Sequence, residues 1–268
     1  MDQATQNSEL LTPNYPGVSL DELFSELILT GAQIQSSPSR KALFWGEKVS
    51  GISSYLAGWM AERGIDVIVL DGANGFDPYR VSSFARKALV PPERLLKKIR
   101  IARAFTCFQM ATLVERLAFL LHQEGEIRPK SLPFPFRKPS IILLGPITTF
   151  LDEDVPEREV RSLFERSLRK MEIMAGEEVP LFLLQSLANV PFNKGHRYPG
   201  PDGGTGWMGG LKGSKRAYLM KRLFQFSNLV WKISLEEEGP RLLLEKGLTE
   251  DVGDKDWRLG SDSSCDSC

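Results

Sequence analysis

The sequence predicts an α/β fold in which a mostly parallel central sheet is flanked by helices. Short segments that are apolar at nearly every position are typical of strands buried on both faces. Amphipathic segments separate them, and each is long enough to cross over the sheet between parallel strands. The predicted strands are KALFWG (41–46), DVIVLDG (66–72), RIARAF (100–105), IILLGPI (141–147) and VPLFLLQS (179–186).

The helices and the last strands complete this alternation. Apolar residues recur at helical spacing in six segments, 19–30, 51–63, 78–89, 107–125, 156–176 and 213–226. The last two apolar segments, NLVWKISLEE (228–237) and PRLLLEKG (240–247), follow each other closely and predict a C-terminal β-hairpin.

The length of 268 residues fits one domain with short tails. Residues 1–18 are polar and proline-containing, which predicts a flexible N-terminal segment. The core domain is expected at 19–248, and the acidic, serine-rich residues 249–268 are expected to be a disordered tail. The 34 basic residues balance the 34 acidic ones, so a surface that is basic throughout is excluded, but a local basic patch is not.

Cysteine usage and hydropathy indicate a cytoplasmic protein. The three cysteines, Cys107, Cys265 and Cys268, are too few for a disulfide framework. Cys265 and Cys268 have metal-ligand spacing but no second ligand pair, so no metal site is expected. No apolar run approaches the ~18 residues of a membrane span, and the first residues do not resemble a signal peptide, so no membrane contact is expected.

The turn after the first strand has part of a phosphate-binding motif. Such a loop follows the pattern G-x-x-x-x-G-K-[ST], in which backbone N–H groups surround the phosphates, the lysine neutralises them and the hydroxyl holds magnesium. Gly46, Gly51 and Ser53 have the required spacing. The lysine position, however, is occupied by Ile52, which makes this a degenerate Walker A motif.

The chain resembles the RecA/RadA recombinases and their paralogues on both sides of this motif. The resemblance begins at LDEL and ILTGAQI, continues through FWGEKVSG, and is clearest in VIVLDGANGFDPYRV and PPERLLKKIRIARAFTCFQMATLVERL. It extends through IILLGPITTFL and FLLQS, over about residues 20–247. The resemblance implies a RecA-like P-loop NTPase fold and a role in DNA repair or DNA recombination.

The family's roles, transferred position by position, imply a pseudoenzyme. The residue matching the glutamate that orients the attacking water is Ala73, and the residue matching the magnesium-associated aspartate is Gly145. Gln185 matches the glutamine that senses the nucleotide, and Ser53 keeps its hydroxyl. Because phosphoryl transfer depends on positioning and charge, hydrolysis is expected to be negligible. The residues left for a degenerate nucleotide site are Gly46, Lys48, Gly51, Ser53 and Gln185.

The sequence offers two substitutes for the missing lysine and the missing carboxylate. Lys48 could reach the phosphates from within the loop, or it is a solvated loop side chain. Asp152, Glu153 or Asp154 could replace the missing carboxylate, or they cap the following helix, whose N-terminal dipole favours acids. No cofactor is required on this interpretation, and any binding of ATP and magnesium is expected to be weak.

A basic, aromatic loop follows the last parallel strand. The stretch from 189 to 222 contains seven lysines and arginines against one acid, Asp202, with aromatic residues between them. Cations that follow a phosphate backbone, together with aromatic faces for bases, are typical of single-strand binding. The resemblance places the family's DNA-binding loop here. The candidate DNA-binding residues are Lys194, Arg197, Tyr198, Trp207, Lys212, Lys215 and Arg216.

The alternative to DNA binding is that 189–222 is a solvated loop. A second basic, aromatic segment, RPKSLPFPFRKPS (128–140), is either a stiff connector or a docking site for a partner. His122 and His196 are both expected to have no metal-binding role. The sequence thus leaves three functions: a recombination accessory that binds single-stranded DNA or a RecA-family partner, a scaffold that binds only proteins, and an ATP-binding switch without efficient hydrolysis.

Overall fold

The computed structural model describes residues 41–47, 49–127, 138–186, 217–236 and 239–246. Several predictions concern residues outside these ranges: the N-terminal segment 1–18, the helix at 19–30, the start of the proline-rich connector and the tail at 249–268. Lys48 and all seven candidate DNA-binding residues also lie outside the described residues.

Seven strands and six α-helices make up the described chain. The strands are β1 (Lys41–Gly46), β2 (Val67–Asp71), β3 (Ile99–Arg103), β4 (Ser140–Leu144), β5 (Leu181–Ser186), β6 (Leu229–Glu236) and β7 (Gly239–Lys246). The helices are α1 (Val49–Glu62), α2 (Pro78–Lys87), α3 (Pro92–Leu96), α4 (Cys107–Ile127), α5 (Glu157–Gly176) and α6 (Ala217–Phe226). A 3₁₀ helix (Thr148–Leu151) lies between β4 and α5.

The structure confirms the predicted sheet and the C-terminal hairpin. The strand order is β3-β2-β4-β5-β1-β6-β7, and every neighbouring pair is parallel except the antiparallel hairpin of β6 and β7. The strand predicted at 141–147 is shorter than expected, because Gly145 has φ +67° and turns the chain out of the sheet after Leu144. Helix α3 and the 3₁₀ helix were not predicted, since neither is long enough to show a helical period.

Alternate residues of each strand face opposite layers of helices, which is why the strand segments are apolar throughout. One layer packs α1, α2 and α3 against residues such as Ala42, Phe44 and Val69. The other layer packs α4, α5 and α6 against residues such as Leu43 and Leu143. Strands β1, β2, β4 and β5 are therefore anchored on both faces, whereas three of the five residues of the edge strand β3 are exposed.

Polar contacts fasten the last hairpin to the sheet. The indole nitrogen of the buried Trp45 donates a hydrogen bond of 2.8 Å to Glu245 on β7, and burial raises the pKa of that carboxyl. Lys246 donates to the carbonyls of Phe224 and Gln225 in the last turn of α6, where a cation also complements the helix dipole.

Within the described ranges, no helix combines the length and the apolar character that crossing a membrane requires.

Candidate functional site at the carboxyl edge of the sheet

The carboxyl ends of the parallel strands meet at one edge of the sheet, which is where ligands bind in folds of this class. Gly46 ends β1, Asp71 ends β2, Leu144 ends β4 and Ser186 ends β5. The positions that correspond to a nucleotide site therefore lie at this edge.

The turn after β1 is tight and packed directly against β6. Gly46 has φ +140°, and a Cβ added there would lie 1.9 Å from the carbonyl oxygen of Ile233. The N–H of Glu47 donates to that same oxygen over 3.1 Å. Only a glycine fits this turn, because a side chain would meet backbone atoms that cannot move independently.

Helix α1 begins at Val49, only two residues after the strand ends. Val49 is fully buried, and Ser50 and Gly51 already belong to the helix. The spacing predicts a phosphate-binding loop at 46–51, but half of this stretch forms the first turn of α1. Of the described residues, only Glu47 lies between the strand and the helix.

Gly51 and Gly58 allow α1 and α2 to pack closely. A Cβ at Gly51 would lie 2.7 Å from Nη1 of Arg80, and one at Gly58 would lie 3.1 Å from the ring of Phe84. Gly51 therefore has a packing role in this structure that its place in the motif did not reveal.

Ile52 and Ser53 are both directed into the protein. Ile52 packs against the apolar layer between the sheet and α1, α2 and α3. Ser53 is fully buried, and its hydroxyl donates to the carbonyl of Ser50 over 2.7 Å. The hydroxyl predicted to face magnesium thus has a partner within its own helix, as is common for helical serines.

Asp71 is the central polar residue of this edge, and the sequence analysis did not identify it. Its carboxylate is fully buried and accepts N–H groups from Ala73, Gly75 and Phe76 at 3.0–3.2 Å. Nε of Arg103 lies 3.5 Å from the same carboxylate. A buried carboxylate requires such compensation, since leaving it unpaired would carry a large desolvation penalty.

The turn held by Asp71 lies on the first turns of α1. A Cβ at Gly75 would lie 3.0 Å from the side chain of Ser50, and the N–H of Asp77 donates to Ser54 over 2.8 Å. Asp77 in turn caps α2 by accepting the N–H of Tyr79. Residues 72–77 thus connect β2 to α1 and α2 in a single fixed geometry.

Ala73 and Gly145 face each other with no room between them. A Cβ at Gly145 would lie 2.7 Å from the Cβ of Ala73 and 2.6 Å from the hydroxyl of Thr148. The N–H of Gly72 donates to the carbonyl of Leu144 and holds the two turns together. The resemblance assigns the family's two catalytic carboxylates to these positions, and at Gly145 the atoms of Ala73 and Thr148 occupy the space that a side chain would need.

Gln185 is buried in the same cluster. Its side-chain oxygen accepts the N–H of Ile147 over 3.2 Å, and its amide nitrogen donates to the carbonyl of Ser186 over 3.0 Å. The amide therefore joins the end of β5 to the turn after β4. Gln185 would lose a hydrogen bond if the spacing between β4 and β5 changed.

The acidic residues after the 3₁₀ helix do not cap α5, contrary to the capping role that the sequence suggested. Asp152 accepts the N–H of Asp154 and so closes its own turn. The N-cap of α5 is Pro156, with no side-chain hydrogen bond, and the acids of its first turn are Glu157 and Glu159.

Arg222, at the end of the predicted DNA-binding stretch, and His122, on α4, both have structural partners. Arg222 on α6 forms two hydrogen bonds of 2.6 and 2.8 Å with Glu165 on α5, which lowers the pKa of that carboxyl. Because Arg222 is paired with Glu165, it is less available to a phosphate group than its position in the 189–222 stretch suggested. His122 lies 2.8 Å from Glu177 and links α4 to the end of α5.

No protein-family model matches the chain, and no curated protein matches it significantly. The structure thus defines a class of fold, an α/β protein with a mostly parallel seven-stranded sheet compatible with Rossmann-like or P-loop-like architecture. The similarity to RecA and RadA rests on the residues quoted above.

The contact between Ala73 and Gly145 gives a stability prediction. Gly145→Ala should lower the free energy of unfolding by about 2–5 kcal/mol, because it adds left-handed backbone strain to a steric overlap. Urea denaturation measures the loss.

Two control glycines separate these causes. Gly64 has φ +80° with nothing within 4 Å of its Cβ position, so Gly64→Ala should show the strain alone, about 1–2 kcal/mol. Gly176 has open space and ordinary helical geometry, so Gly176→Ala should be neutral or stabilising. If Gly145→Ala costs no more than Gly64→Ala, the edge is not closed as described.

Proposed function

We propose that the chain is a non-hydrolysing, RecA/RadA-like protein that acts as an accessory in DNA recombination or repair. It binds single-stranded DNA, a RecA-family partner, or both. The order of the motifs along the sequence supports this proposal. The sheet is compatible with it, because β5, which carries Gln185, lies between β1 and β4 and thus next to both predicted phosphate-site strands.

The observation that supports the absence of hydrolysis most strongly is the contact between Ala73 and Gly145. Phosphoryl transfer needs a cation and carboxylate-held magnesium around the transferred group. Removing one preorganised electrostatic contributor costs on the order of 10²–10³ in rate. The resemblance implies that three are replaced here, and at Gly145 the space that a side chain would need is filled by Ala73 and Thr148.

An ATP-binding switch is the second candidate, and the location of Lys48 favours it. In the sequence, Lys48 lies between the end of β1 and the start of α1. The positive end of the helix dipole and a nearby cation favour a phosphate group. Weak nucleotide binding is compatible with this arrangement, whereas in-line attack on a γ-phosphate is not.

The location of the basic loop supports binding of single-stranded DNA. The strand β5 ends at Ser186 on the carboxyl edge, and α6 begins at Ala217. Both ends of the segment that carries the candidate cations are therefore attached to the ordered core.

The remaining candidate is a scaffold that contacts only proteins. In that case the RecA-like core would contribute its surface alone, as degenerate members of enzyme folds can do. Salt dependence separates the two cases, because DNA binding releases counterions.

Hydrolysis is expected to be absent and not restorable by replacing the missing side chains. The wild-type chain and a triple variant, Ile52→Lys with Ala73→Glu and Gly145→Asp, should both show no magnesium-dependent phosphate release above the no-protein background. The triple variant should also be less stable, because the acid at position 145 enters space that Ala73 and Thr148 fill. Wild-type hydrolysis that Lys48→Ala abolishes would contradict the proposal.

Oligonucleotide binding tests the DNA assignment. Lys215→Glu combined with Arg216→Glu should weaken binding of a short single strand and lower the salt slope by about 1.4, that is, about 0.7 for each lost phosphate contact. Arg166→Glu combined with Arg169→Glu, at exposed positions of α5, makes the same change in charge elsewhere and should leave the slope unchanged. Equal affinity of the loop variant and the wild type would remove the loop from the proposal.

A further inference from the structure

The segment 78–105, which forms α2, α3 and β3, is strongly basic. It contains eight lysines and arginines and a single acid, Glu93, in a chain whose net charge is zero. The remainder of the chain is correspondingly acidic. The basic segment 78–105 lies entirely within the described residues and is separate in sequence from residues 187–216.

Three of the eight cations have partners in the structure. Lys98 lies 3.3 Å from Asp66, Arg80 lies 3.7 Å from Asp77, and Arg103 contacts Asp71. The other five are exposed and form no ion pair with any residue in the described ranges: Arg86, Lys87, Arg94, Lys97 and Arg100. We call these five residues the basic edge surface.

The backbone holds the basic edge surface in one place. Hydrogen bonds from Leu89 to Arg86 and from Val90 to Ala85 fix the turn between α2 and α3. Phe84, Leu95 and Ile99 point into the core, which leaves the outward positions of this stretch to the cations. The strand β3 is the last strand on this side of the sheet, so nothing in the described chain covers its free edge.

Structural roles explain part of this charge. Arg86 and Lys87 complement the dipole at the end of α2, and a charged edge strand discourages pairing with another chain. Arg94 is likewise the basic residue in the last turn of α3, where it complements the dipole of that helix. Five like charges within fifteen residues also repel one another, and a bound polyanion would remove that repulsion.

We infer that the basic edge surface binds the phosphate backbone of a nucleic acid, as a contact separate from the 187–216 region; this inference rests on the proposed DNA-binding function. Three of its cations are arginines, whose planar guanidinium groups match phosphate oxygens in pairs. Leu89, 93% exposed, is the one large apolar residue exposed between Arg86 and Arg100. A membrane surface would require a broader apolar face, so a nucleic acid fits this surface better.

The test measures binding of the full chain to a fluorescent single-stranded oligonucleotide by anisotropy, from about 50 to 200 mM salt. The edge variant is Arg94→Glu with Lys97→Glu. A second variant, Arg86→Gln with Lys87→Gln, removes charge without placing acids at the end of α2. The matched control is Arg166→Glu with Arg169→Glu on α5, on the opposite face of the sheet. Circular dichroism and thermal unfolding verify that each variant is folded.

The edge variant should lower the slope of log affinity against log salt by about 1.4, as two lost phosphate contacts require. Arg86→Gln with Lys87→Gln should also lower this slope, and the α5 control should have the slope of the wild type. Loss of binding in the edge variant but not in Lys215→Glu with Arg216→Glu would support the surface and reject the loop.

Other results would overturn the inference. Wild-type affinity in both edge variants, together with a weakened loop variant, would reject the surface while the proposed function stands. If the wild-type chain binds no oligonucleotide, the inference and the DNA-binding part of the proposed function both fail, and only binding of a RecA-family partner remains of that function. If it then binds vesicles containing anionic lipid, or a polyglutamate peptide, and the edge variants do not, the surface serves a different partner and the inference is wrong.

Discussion

The buried carboxylate of Asp71 is the interaction on which the carboxyl edge of this sheet depends. Three backbone N–H groups and Arg103 compensate its charge, and all three N–H groups belong to the turn that follows β2. Since an unpaired buried charge would be strongly destabilising, the turn must remain where it can supply those donors. This requirement fixes residues 72–77 against the ends of β2 and β4 and against α1.

The closed edge follows from that geometry. Once the turn is fixed, Ala73 lies against Gly145, and Gly75 lies against Ser50. Gly46 closes the other side by its contact with the carbonyl of Ile233. The loss of catalytic side chains is thus accompanied by repacking of the space they would need. This supports a protein whose fold serves binding rather than turnover.

The sequence predicted the strands and the order of the long helices well, because burial on both faces makes the strands continuously apolar. Periodicity could not predict α3 or the turn at Gly145, which depend on a few local dihedral angles. Asp71 was missed because an aspartate at a strand end has the same local pattern whether it faces solvent or backbone donors. The sequence D-G-A-N-G-F was the available signal, since it places turn-forming residues directly after the acid.

The packing role of Gly51 could not be inferred from the motif either. A glycine at that spacing serves a phosphate loop or a close helix contact equally well, and only the position of Arg80 distinguishes them. The basic loop remains a prediction, because its residues lie outside the described ranges. The basic edge surface was not predicted, although the sequence of 78–105 shows the excess of cations, because only the structure shows which of them are exposed and form no ion pair within the described ranges.

Titration of the chain with a fluorescent ATP analogue, with and without magnesium, tests the closed edge most directly. The account predicts that any binding is weak, does not increase with magnesium and does not depend on Ser53 or Gln185. Saturable binding that requires magnesium and is lost in Ser53→Ala would show that the edge opens to form a working metal–phosphate site. That result would contradict the central claim.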